Sequence, residues 1–273
     1  MNKPTVKPPP QNENNNCGVP AASPQDALSN CAGVVSCQQQ SPVEKTISGV
    51  LLIDKTSGWT SHDAVMVARR KLGISRIGHA GTLDPAATGL LVLLVGSAAK
   101  KQSEFQQAAK IYSGVMHFGV ETDTWDADGK VVAQKPLPDI SEEQLGAAIS
   151  EITGDITQIV PPYSAVKFHG EPLYKIARRG GVLPKNMCRI VTIYSWDRRE
   201  WTPPELAFTI KCSSGTYVRS LAQMLGAKFG CGAHLKSLRR LKVGDYVVES
   251  AISAVALKEM DRAEIESRII ALP

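Results

Sequence analysis

Two short, unbroken aliphatic runs constrain this chain most: Val50-Leu-Leu-Ile53 and Leu90-Leu-Val-Leu-Leu-Val95. A continuous apolar run of four to eight residues bounded by turn residues reads as a fully buried strand. Gly49–Asp54 and Leu90–Val95 are therefore predicted strands, and neither run approaches the ~18–20 residues that a membrane span needs. Helical signals lie between and after them. Ser61 is placed to cap a helix through Leu72, with Val65, Ala68 and Leu72 on one face and Gly73 as the stop. Residues 98–109 read as helix. Ile111–Val120 reads as a strand that turns at Asp128-Gly129 into Lys130–Ala133. Ser141-Glu-Glu-Gln144 is a capping box ahead of Leu145, Ala148, Ile149 and Ile152. Residues 189–196 and 206–213 are strand-like. Thr216 to Phe229 is a predicted helix closed by Gly230 and Gly232, and two short helices are expected at Ser250–Glu259 and Asp261–Ile269. Strands and helices mix without a βαβ rhythm, which favours an α+β fold.

Residues 1–46 differ from the rest. They hold seven of the 17 prolines and are rich in Asn, Gln, Ser and Ala, so they are expected to be a disordered low-complexity tail. Their charges sum to zero, which leaves the whole net charge of +5 on residues 47–273. That surplus gathers around Lys167–Arg189 and Lys211–Lys242, and it points toward an acidic partner, nucleic acid first. Pro, Asn and Gln interrupt any N-terminal apolar stretch, so a signal peptide is not read and a cytoplasmic location is expected. The six cysteines include no CxxC pair, and the five histidines form no HExxH, so no metal site is expected.

Three stretches carry candidate chemistry. Gly78-His-Ala-Gly-Thr-Leu-Asp-Pro85, followed by Ala87-Thr-Gly89, is a loop in a special conformation. Pro85 biases Asp84 to an extended backbone, which fixes the angle of its carboxylate; the alternative is an Asx-turn that caps its own loop. Lys211 to Gly244 contains seven basic residues and no acidic one, either a phosphate-collecting surface or a solvated helix face. Within it, Tyr217 and Arg219 are two apart and share a site only if the backbone there is not yet helical. Pro161–Gly180 interleaves Lys167, Lys175, Arg178 and Arg179 with Tyr163, Phe168 and Tyr174, a mixture suited to stacking bases and pairing phosphates. Asp123–Gly129 invites a calcium-loop reading, but Thr124 and Lys135 would occupy the two positions that need carboxylates, so a hairpin turn is expected instead. No Walker loop, GxGxxG or GxSxG is present.

Together, Gly49–Ser61, Gly78–Pro85, Tyr112, Thr122–Gly129, Pro161–Gly180, Gly215–Leu221 and Gly232–Arg240 resemble the TruB-type tRNA pseudouridine synthases, in the family's order across residues 49–245. The resemblance implies an isomerase that flips one uridine of the tRNA T-arm, position 55, detaches its base and rejoins it through carbon 5, with no cofactor or metal. It implies a central, mostly antiparallel mixed sheet flanked by helices, with the active-site cleft across the sheet. Asp84 matches the family's catalytic aspartate, Tyr112 the tyrosine that stacks on the base, and Arg219 the arginine that pairs with the aspartate. His79, Tyr217, Leu238 and Lys55 match positions at or around the bound nucleotide. The implied partner is the T-arm stem-loop of tRNA, met by a monomer without a membrane. Two departures stand out: Thr56 follows Lys55 where the family has proline, and the 28 residues after Asp245 are too few for the family's RNA-binding PUA domain. Residues 47–273 are accordingly expected to form a single catalytic domain.

Overall fold

The computed structural model describes residues 47–184 and 187–272, so the expectation for the tail lies outside the described residues. In chain order the strands are β1 (Gly49–Lys55), β2 (Ile77–His79), β3 (Thr88–Val95), β4 (Lys110–Phe118), β5 (Val120–Thr122), β6 (Val131–Gln134), β7 (Gly154–Ile159), β8 (Lys167–Phe168), β9 (Glu171–Pro172), β10 (Cys188–Thr202), β11 (Glu205–Cys212), β12 (Ala233–Val243), β13 (Tyr246–Val247) and β14 (Ile252–Ser253). The helices are α1 (Ser61–Leu72), α2 (Gln102–Gln107), α3 (Glu142–Glu151), α4 (Leu173–Arg178), α5 (Val218–Lys228), α6 (Ala254–Glu259) and α7 (Arg262–Ser267).

Ten strands form one mixed sheet in the order β14-β1-β3-β12-β4-β11-β10-β7, with β2 added to β3 and β13 to β12. Only β1–β14 and β3–β12 pair in parallel; the other pairs are antiparallel. The opening aliphatic runs now have a reason. Leu51, Ile53, Leu91, Leu93 and Val95 enter the main core, while Val50, Leu52, Leu90, Val92 and Leu94 enter a second core on the opposite face. A strand covered on both sides has no polar positions to alternate with. β4 and β11 are covered on one face, so Met116, Phe118, Leu206, Phe208 and Ile210 are buried while their neighbours are not.

Several boundaries differ from the sequence reading, each for a local reason. Thr60, not Ser61, caps α1, through a reciprocal capping box with Asp63. Ser61 is buried and its hydroxyl is used elsewhere. Residues 98–109 are not one helix: a 3-10 turn (Gly96–Lys101) precedes the short α2. The strand expected through Val120 stops at Phe118, because Gly119 (φ 88°) turns the chain off the main sheet and β5 pairs with β6 in a ribbon of its own. α5 starts at Val218, with Tyr217 still extended. β12, at the sheet's centre, escaped the periodicity reading. Register shifts between Leu235 and Ser237 and between Arg240 and Lys242 break its alternation. The capping box Ser141–Gln144 is present as expected. Both C-terminal helices form, α7 with a capping box of Asp261 and Glu264.

Candidate active site

A cleft of about 770 Å³ crosses the sheet where β4 and β12 pair. Its floor carries Tyr112 from β4, Leu238 and Arg240 from β12, and the loop Gly81–Pro85 between β2 and β3. The start of α5 supplies Tyr217 and Arg219, and the loop after β5 supplies Thr124 and Asp126.

Asp84 is held by its neighbours on both sides. The Ser61 hydroxyl accepts from the Leu83 amide at 2.9 Å. Lys55 Nζ donates to the Pro85 carbonyl at 3.0 Å, and the Gly58 amide donates to the same oxygen at 3.0 Å. Arg219 meets the carboxylate from the far side of the cleft, with Nε 3.1 Å from Asp84 Oδ2 and a terminal nitrogen 3.4 Å from Oδ1. Its side chain is only 5% exposed, and it also donates to the carbonyls of Thr124 and Tyr163 at 3.0 Å each. Asp126 Oδ2 lies 3.6 Å from the same Nε, so one guanidinium faces two carboxylates. With its other donors fixed by backbone, Arg219 has little freedom to leave Asp84.

Desolvation dominates the electrostatics. Burial pushes the Asp84 carboxyl above its ordinary value; Arg219 opposes the shift and Asp126 adds to it. The Asp84 side chain is 42% exposed, but that surface opens only into the cleft, so it overstates the carboxylate's hydration. Burial also raises the Tyr112 hydroxyl, with the Arg240 guanidinium opposing. It lowers Lys55 to about 8, against the pull of Asp84. The His79 imidazole is likewise lowered by burial.

Of the residues singled out from sequence, Asp84, Tyr112, Arg219, Tyr217 and Leu238 line one cleft. Tyr217 does so because its backbone is not yet helical, the condition under which it and Arg219 can share a site. Lys55 and His79 do not line it. Lys55 is fully buried and spends its three protons on the carbonyls of Thr56, Trp59 and Pro85, so it props the Asp84 loop from behind and cannot meet a nucleotide. His79 lies on β2, with a buried Nδ1 that has no hydrogen-bond partner.

Comparison with known proteins decides the family. The model of the TruB family pseudouridylate synthase N-terminal domain matches residues 69–218, and that of the tRNA pseudouridylate synthase B C-terminal domain matches residues 219–270. The chain is 42% identical over 226 residues to the tRNA pseudouridine synthase B of Opitutus terrae, covering 83% of this chain and 93% of the relative. It is 43% identical over 231 residues to that of Xanthomonas euvesicatoria pv. vesicatoria, covering 85% and 75%. The chain belongs to the TruB family. Among solved structures, a Cbf5-Nop10-Gar1 complex contains a similar chain (28% identity, TM-score 0.60), with 78% of this chain and 54% of that one covered. An H/ACA RNP bound to a substrate RNA containing 2'-deoxyuridine contains another (25%, 0.59), with 80% and 55% covered. The chain thus spans little more than half the length of those two. Pseudouridine-synthase architecture is the fold found here, and TruB enzymes are isomerases that convert uridine to pseudouridine.

The two TruB matches meet inside α5, yet β12 from the second lies between β3 and β4 from the first. Four site features of this TruB chain escaped the sequence reading. Asp126 reads from sequence as part of a turn. Ser61 reads as a cap. Gln158, fully buried, exchanges hydrogen bonds of 3.0 and 2.7 Å with the Tyr217 backbone. Arg240 was counted among surface cations but is 1% exposed. Adjacent arginines on a strand must face opposite ways, and that signal would have found Arg240 had β12 been recognised. Most of the one-sign run from Lys211 is not cleft lining. Lys228 pairs with Glu151, Lys236 with Glu205, and Arg239 bidentately with Asp54 at 2.9 and 2.7 Å. Among the described residues, the cations at the cleft are Lys110, Arg178, Arg189, Arg219 and Arg240.

Proposed function

We propose that this chain converts the uridine at position 55 of the tRNA T-arm to pseudouridine, with Asp84 acting on the flipped nucleotide. One observation carries the reading: Asp84 stands 3.1 Å from a buried, immobilised Arg219 on the floor of a cleft that also holds Tyr112. A stacked uridine must leave its stack before it can react, at a cost of a few kcal/mol. Arg178 over Tyr174 and Arg189 over Tyr217, each 5.6 Å from the ring centroid, offer the cleft mouth two cationic stacking platforms that offset this. In the cleft, Tyr112 stacks on the base. Arg219 favours the ionised Asp84 carboxylate against the desolvation that raises it, and holds it aimed into the cleft. The N1–C1′ bond breaks and a C5–C1′ bond forms, the proton on C5 is released to water, and N1 takes up a proton in exchange. The step is redox-neutral and needs no external reductant, cofactor or metal.

The reading includes a monomer acting in the cytoplasm, with residues 47–273 as a single catalytic domain. No helix among the described residues is long and apolar enough to cross a membrane. The test uses the full chain with a T-arm stem-loop RNA carrying tritium on uridine C5. The wild type is expected to release tritium from position 55. Asp84→Asn is expected to lose at least about a thousandfold in rate, the scale on which such groups act, with RNA affinity changed less than threefold. Substantial release by Asp84→Asn, or release from another uridine, overturns the assignment.

A further inference from the structure

We propose that Arg240 is a positioning residue for this isomerisation: one buried guanidinium ties the Asp84 loop to strand β3 directly opposite Tyr112, so that loop and ring keep a fixed spacing. The proposal rests on the functional reading above. Arg240 Nε donates to the Leu90 carbonyl at 2.7 Å. Its terminal nitrogens donate to the carbonyls of Gly81 at 3.1 Å and Thr82 at 3.4 Å, three and two residues before Asp84. Its charge lies close enough to the Tyr112 hydroxyl to oppose the rise that burial causes there. Tyr112 is its direct partner across β4 and β12, so ring and guanidinium rise from facing positions.

The surroundings make this an expensive way to fill space. No carboxylate lies within ion-pair distance of Arg240 among the described residues. Its charge pushes down on the ammonium groups of Lys55 and Lys110. An apolar side chain of similar volume would pack without that penalty. Gly89 (φ 97°) lies against Arg240 so closely that a Cβ would come within 2.3 Å of the Arg240 carbonyl oxygen. Lys55 and Ser61 brace the loop at Pro85 and Leu83, and Arg240 braces it at Gly81 and Thr82. Asp84 is thereby clamped from both ends, and the clamp on one side rises from the position facing Tyr112. Loss of the guanidinium removes the hydrogen bonds to the Gly81, Thr82 and Leu90 carbonyls, and the loop and ring lose their common reference.

The experiment measures single-turnover tritium release at saturating enzyme for the wild type, Arg240→Lys, Tyr112→Phe and the double variant. A saturated rate constant reads the bound, folded enzyme whatever fraction has unfolded. Arg240→Lys is expected to lower it at least a hundredfold while RNA affinity changes less than threefold. In the Tyr112→Phe background the same change is expected to cost less than tenfold, because the two residues act as one unit. A rate within threefold of wild type, a loss confined to RNA affinity, or losses that simply multiply would overturn the proposal. If Arg240→Lys does not fold, Arg240→Gln, which keeps donors for the loop carbonyls, takes its place under the same thresholds. A wild type inactive on this RNA would refute the functional reading itself; with an active wild type, the variants judge Arg240 alone.

Discussion

Asp84 and Arg219 are 135 positions apart in the chain and 3.1 Å apart in the cleft. Their pairing sets a pH dependence whose sign is fixed by burial. The Asp84 carboxyl lies above its ordinary 3.8, so on acidification it binds its proton earlier than a surface aspartate would. If ionised Asp84 acts on the nucleotide, the saturated rate constant falls on acidification and is half lost at a pH above 3.8. Single-turnover rates across pH 4–8, with circular dichroism at each pH to verify folding, check this; a midpoint at or below 3.8 would refute it. Residue identity was legible in the motifs around Asp84, Tyr112 and Arg219. Residue duty was not, as Lys55 and Arg240 show. Lys55 matches a position near the nucleotide and Arg240 belongs to the basic run, yet both are buried and spend their protons on backbone carbonyls.

At the scale of elements, α5 and β12 must approach closely for Arg219 to reach Asp84. Gly226 permits it: a Cβ there would stand 2.2 Å from the Ala233 amide nitrogen and 2.3 Å from the Gly232 carbonyl carbon. Backbone cannot yield as a side chain can. Gly226→Ala is therefore expected to destabilise by about 2–3 kcal/mol and to lower Tm by roughly 5–10 °C, although alanine is the better helix former. Thermal denaturation checks it, and an unchanged or raised Tm would show that α5 can shift. Elements with strong local signals were legible: the doubly buried β1 and β3, and the capped α1 and α3. β2 is too short to show a period, β12 is broken by register shifts, and β4 is cut short by Gly119, whose positive φ no pattern of apolar residues announces.

For the whole molecule, the distribution of charge matters more than its sum. If RNA lies in the cleft, affinity falls steeply with salt as phosphate contacts release counterions. Arg178→Ala and Arg189→Ala should each weaken binding and reduce the log–log salt slope by about 1. Lys228→Ala and Lys236→Ala, whose ammonium groups pair with Glu151 and Glu205, should leave the slope unchanged. Filter binding from 50 to 300 mM salt separates these cases, and equal slopes for all four would place the RNA elsewhere. The sequence by itself determined the family, through short motifs in order along the chain, and the α+β class, the double burial of the aliphatic strands and the loop that presents Asp84, because each of those signals rests on neighbours within a few residues. Only the tertiary structure decided which cations face the cleft, which side each arginine of the Arg239–Arg240 pair takes, and that Asp126 joins Arg219. Those outcomes depend on strand register, bulges and backbone approach between distant segments, and local periodicity carries no record of them.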